Sequence, residues 1–168
     1  MPTRRSDCRC AAWIVVGVVI GFGQAEGLSA AEKTPKGTAV KFKTYGAPYF
    51  VKNNFEPKAD QSFVVIKNLE HFEKVFGVGM VMGGPTPGVN PDTFKSQMIV
   101  AVIKRGPMCK FEVEGVATAG KGLQVRYKVM TDPPDTATFA VPLIISVPKG
   151  DYLAVVFMEN GKETKVVK

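Results

Sequence analysis

The segment Gln97–Lys104 (QMIVAVIK) is apolar at nearly every position rather than at alternate ones. A run so short and so apolar reads as a central strand, and the rest of the chain must be built around it. Ser62–Ile66 is a second such run and suits a strand covered on both faces. Elsewhere the pattern alternates. Val40–Tyr45 and Phe111–Glu114 switch between apolar and polar, the period of a half-buried strand. Leu123, Val125, Tyr127 and Val129 alternate with Gln124, Arg126, Lys128 and Met130 after a turn at Ala119–Gly122, which predicts a hairpin with an inside and an outside. Ala137–Val147 and Tyr152–Met158 are further strands, joined by Pro148–Asp151. Pro142 lacks an N–H and so belongs at an edge or a bulge. Asn160-Gly161 is a hairpin turn signal ahead of a last strand, Thr164–Val167. One helix is expected. Asn68 can cap it, Leu69, Phe72, Val75 and Phe76 recur at helical spacing, and Gly77 ends it. The expected fold is mainly β or α+β: antiparallel sheets, as a sandwich or open barrel-like, of six or seven strands with one short helix near residues 69–76.

A leader precedes this domain. Arg4, Arg5 and Arg9 are followed by the apolar run Ala11–Phe22 and then by Ser29-Ala30-Ala31. That layout is a secretory signal peptide. The run falls short of the ~20 apolar residues a spanning helix needs. Cleavage is expected after Ala31, with Ala25 as a second option. The organisation is then signal peptide 1–31, flexible tether 32–38, and one β-rich domain over 39–168, exported to the periplasm or the medium and free of the membrane after cleavage. Cys8 and Cys10 leave with the leader, so Cys109 has no intramolecular disulfide partner. Of the 22 Lys and Arg, three are leader arginines, and all but two of the remaining 19 are Lys. Phosphate and base recognition favours the planar fork of Arg. Dispersed Lys reads as a solubilising face, and nucleic acid is excluded as a partner.

Catalytic patterns are sparse. His71 lies on the polar side of the expected helix, beside Glu70, Glu73 and Lys74, and no nucleophile elbow accompanies it. Cys109 is the one alternative, as the nucleophile of a small enzyme paired in space with His71. No pair of His or Cys-x-x-Cys lies at metal-ligand spacing in the exported part. Met80-x-Met82 and Met108-Cys109 are soft donors of the kind that select Cu(I), but Met also fills irregular gaps in cores and binding surfaces, and that second reading is preferred. Glu112 and Glu114 alternate with Phe111 and Val113 and mark the wet face of a strand. No cofactor is expected.

Two loops carry apolar side chains on Gly- and Pro-rich backbone: Gly77–Pro91 and Gly106–Lys110, with Pro133–Asp135 a weaker third. Long loops of this composition are often functional. Met80, Val81, Met82, Pro85, Pro107, Met108 and Phe111 are therefore the expected protein-contact residues. The segments FVVIKNLEHFEKVFG, DTFKSQMIVAVIKRG, LQVRYKVMTDPP and VPLIISVPKGDYLAVVF, over residues 62–158, resemble the C-terminal domain of PrcB-type protease-complex subunits. The family tends to have a Gly-Tyr step entering the strand after Asp-x-Phe. Here Pro107-Met108-Cys109-Lys110-Phe111 stands in that place, with Phe111 as the aromatic. The resemblance implies a non-catalytic binding or assembly domain whose partner is another exported protein, such as a secreted protease. A protease-inhibitor-like β domain is the nearest alternative.

Overall fold

The computed structural model describes residues 37–79, 88–131, 133 and 137–168. Its strands are β1 (Lys43–Tyr45), β2 (Tyr49–Val51), β3 (Gln61–Ile66), β4 (Phe76–Val78), β5 (Gln97–Gly106), β6 (Cys109–Ala119), β7 (Gly122–Thr131), β8 (Phe139–Pro148), β9 (Ala154–Glu159) and β10 (Lys162–Val167). Two helices, α1 (Leu69–Val75) and α2 (Thr93–Ser96), complete it. The domain is mainly β, as the alternation predicts, and its sheets are not closed into a barrel.

Three layers result. One four-stranded sheet has the order β1-β8-β5-β3, a second has β10-β9-β7-β6, and β2 and β4 form a short ribbon. The first sheet is the middle layer. Met98, Val100 and Val102 of β5 and Leu143, Ile145 and Val147 of β8 face Val116, Leu123, Val125, Tyr127, Val155 and Phe157 of the second sheet. Ile99, Ala101, Ile103 and Ile144 face the other way, onto Phe72 and Val75 of α1, Phe94 of α2, and Tyr49, Val51 and Phe76 of the ribbon. Strands buried on both faces need apolar residues at consecutive positions, which explains QMIVAVIK.

Each local signal has a visible cause. Asn68 Oδ1 accepts the His71 N–H at 2.8 Å and caps α1. Asn160 and Gly161 both take positive φ, 51° and 77°, and close the β9–β10 hairpin. Pro142 pairs with Ile103 of β5, while β1 covers β8 only at Ile144–Ser146. On its outer side Pro142 thus lies where no strand needs an N–H. The Arg105 guanidinium donates to the carbonyls of Phe55 at 2.6 Å and Ala59 at 3.1 Å and to Ser62 Oγ at 3.0 Å, pinning the loop before β3.

Three features depart from the pattern. Among the described residues the strands number ten rather than six or seven, and two of the additional ones, β2 and β4, are three-residue pieces too short to show a period. Gly77 does not end α1. Phe76 leaves the helix in extended conformation (φ −115°), and Gly77 sits in β4 opposite Phe50. A Cβ there would lie 2.3 Å from the Phe50 ring, so the glycine serves a close approach rather than a helix end. The ladder between β7 and β9 is parallel, whereas the others are antiparallel. After β7 the chain crosses to the middle sheet as β8 and returns in its original direction. Among the described residues no helix is long and apolar enough to cross a membrane.

Candidate functional site: a groove between two open strand edges

The second sheet ends at β6 and the middle sheet at β1. These edges lie on the same side of the sandwich, and the segment Gly37–Tyr45 ties them together. Thr38 and Val40 bond to β6, with Thr118 N–H donating to the Thr38 carbonyl at 2.9 Å and Val40 N–H to the Val116 carbonyl at 2.8 Å. Gly37 permits that approach, since a Cβ there would fall 1.7 Å from the Thr118 oxygen. The chain then steps across to pair with β8 at Lys43–Tyr45. Beyond the step lies an open groove of about 560 Å³, with walls from Phe42, Thr44 and Tyr45 on one side and Cys109, Phe111 and Val113 on the other, and with Val141, Pro142 and Leu143 along β8.

The expected contact residues divide here. Phe111 lines the groove, half-buried. Pro107 and Met108 form the exposed β5–β6 connection that leads into it. Met80, Val81, Met82 and Pro85 lie outside the described residues, as does most of Gly77–Pro91. Phe42, Tyr45 and Pro142 were not singled out for contact. Phe42 is 39% exposed, and its only mark in the sequence is an apolar position in the alternating run Val40–Tyr45, which signals a strand and not a contact.

Phe111 stands on a polar support. Its ring is 5.9 Å from that of Tyr127. Tyr127 Oη donates to Glu159 Oε2 at 3.2 Å, Gln61 Nε2 donates to the same oxygen at 2.7 Å, and Lys104 Nζ lies 2.8 Å from Oε1. Gln61 and Lys104 belong to the middle sheet, Tyr127 and Glu159 to the second, so the cluster bolts the two sheets together. Burial alone would push the Glu159 carboxyl up, but the hydrogen bonds from Lys104 and Gln61, with the Lys104 charge, hold it below its ordinary value. Burial, then the neighbouring carboxylate, push the Tyr127 phenol well above its ordinary value. Both Glu159 oxygens are engaged, which suits an architectural role better than proton transfer.

Cys109 and His71 are not brought together. Cys109 is 3% exposed at the start of β6, and His71 is exposed on α1, across the middle sheet. Glu112 and Glu114 point outward, and Glu114 pairs with Lys128 at 2.8 Å. Among the described residues no three His, Cys, Asp or Glu side chains are grouped to hold a metal ion. Burial at Cys109 predicts slow alkylation: a thiol reagent at neutral pH should modify the folded protein at least ~10-fold more slowly than the urea-unfolded chain. Equal rates would make Cys109 an accessible thiol and revive the nucleophile. Comparison with protein-family models, with curated proteins and with solved structures finds no match to this chain.

Proposed function

We propose that the protein is an exported, non-catalytic binding domain and that the groove between β1 and β6 is its contact surface. The observation that carries this is the pairing of an apolar, aromatic-walled groove with two strand edges left open beside it. Phe42, Phe111 and Pro142 supply apolar contact at low conformational cost, and Tyr127 holds Phe111 in place. The resemblance to PrcB-type domains favours the same conclusion, with another exported protein, such as a secreted protease, as the partner. The leader-like residues 1–31 support export, and the excess of Lys favours approach to an acidic surface.

The test is a capture experiment from the envelope and medium of the producing cell, with the full chain and its Phe111→Asp variant as baits. A stoichiometric partner held by the natural chain should be lost or weakened at least ~30-fold by Phe111→Asp, the scale of a buried aromatic anchor. Circular dichroism should be unchanged, because Phe111 is only half-buried. A partner retained equally by both baits would rule the groove out.

A further inference from the structure

The backbone at the groove is more specific than its side chains. In an antiparallel ladder each residue turns its N–H and C=O to one side, and the side alternates along the strand. On β7, the Val129 N–H is taken by Asn160 Oδ1 at 3.1 Å and the Tyr127 carbonyl by the Asn160 N–H at 2.9 Å. Both residues therefore direct their peptide groups away from β6. Their ladder partners are Phe111 and Val113. These must direct theirs away from β7, out over the open edge. Further along β6, after a bulge between Val113 and Gly115, the outward groups of Val116 and Thr118 are taken by Val40 and Thr38. Phe111 and Val113 are next in line, and no described residue takes their outward groups.

We infer that the groove binds its partner as an added strand: an extended peptide segment of another protein, running antiparallel to β6 in line with Thr38–Val40 and bonding the outward N–H and C=O of Phe111 and Val113. An exposed strand edge selects an extended chain because only that presents donors and acceptors at the matching spacing. Alternate side chains of the segment would enter the groove against Phe42, Phe111 and Pro142, so apolar residues at every second position are expected. β1 stands on the far side of the groove, so the added strand would lie between β6 and β1.

The inference rests on the groove being the contact surface, and the experiment separates the two. A random nine-residue peptide library is selected against the full chain, and the enriched peptide is measured against Val113→Pro and Val113→Ala. The Val113 N–H serves no bond to β7, so proline removes an outward donor while sparing the ladder, and alanine reports the side chain alone. Val113→Pro should weaken binding roughly 10-fold or more and Val113→Ala less than ~3-fold, at matched unfolding midpoints. Methylating alternate backbone nitrogens of the peptide should abolish binding in one phase of the alternation and spare it in the other. Loss with Phe111→Asp but equal affinity for Val113→Pro and Val113→Ala would keep the groove and overturn strand addition. A library that enriches nothing would overturn it too, as would a dimer in sedimentation that Val113→Pro dissociates, since the occupant would then be a second copy.

Discussion

Phe72→Ala is expected to lower the free energy of unfolding by ~3–5 kcal/mol. The side chain is 3% exposed, and its ring meets Tyr49 at 5.3 Å and 89°, Phe76 at 5.0 Å and Phe94 at 6.2 Å. These three come from the ribbon and α2, so one residue of α1 joins every element of the outer layer. Truncation removes the transfer energy of the ring, leaves a cavity that the flanking sheet cannot collapse into, and deletes three aromatic contacts worth ~0.5–1.5 kcal/mol each. Set against ~5–15 kcal/mol for a whole domain, the loss is large. Urea titration followed by tyrosine fluorescence measures it. Of the groove residues only Tyr45 packs against this core, edge-on to Tyr49 at 6.4 Å, whereas Phe111 rests on Tyr127 of the other core, so the peptide affinity of the folded fraction should fall by less than ~3-fold. A loss under ~1 kcal/mol would mean that the outer layer contributes little to stability.

Phe72 was legible in the sequence because a cap and a helical period mark it locally. β5 was legible for a similar reason: burial on both faces demands a continuous apolar run, and QMIVAVIK supplies one. The Asn160-Gly161 hairpin follows from backbone conformations that few residue pairs adopt. What stayed hidden depends on distant partners. Gly77 reads as a helix end until Phe50 is seen lying over it. The one-turn helix at Thr93–Ser96 is too short for a period, although Phe94 anchors it in the core. The parallel β7–β9 pairing follows from the route β8 takes through the other sheet, which no local pattern encodes. The groove is half-legible. Phe111 was marked by alternation and by its place beside Pro107 and Met108, while the opposite wall, Phe42 and Tyr45, comes from a strand that pairs with neither β6 nor β7. Gln61, Lys104, Tyr127 and Glu159 each look like an ordinary strand residue, and only the stacking of two sheets makes them one cluster.

Glu159→Ala is the second large effect expected, a loss of ~2–3 kcal/mol at neutral pH. Removing one member of a fully buried ion pair costs ~3–5 kcal/mol, because the other charge is left behind. The loss should be smaller here because the Lys104 side chain stays 32% exposed and can be rehydrated. Tyr127 has no such escape, since it is 0% exposed and its hydroxyl would lose its acceptor. Phe111 rests on that ring, so peptide binding at the groove should weaken more with Glu159→Ala than with Phe72→Ala, which reaches the groove only through Tyr49 and Tyr45. The pH dependence has a defined sign at both ends. The Glu159 pKa is held down in the folded state, so its contribution is present above the ordinary carboxylate range and fades as pH falls through the folded value. The stability gap between the natural chain and Glu159→Gln should therefore be constant above the ordinary carboxylate range and narrow as the pH falls below it. Tyr127 is raised, so its contribution is present below the ordinary phenol range and is lost with rising pH, as the unfolded chain ionises while the folded phenol keeps its proton. Tyr127→Phe should flatten the fall in stability above about pH 10. Urea midpoints in a pH series from below the carboxylate range to above the phenol range measure both limbs, and a Glu159→Gln gap that does not narrow anywhere on the acid side would show that the carboxylate does not join the two sheets by its charge.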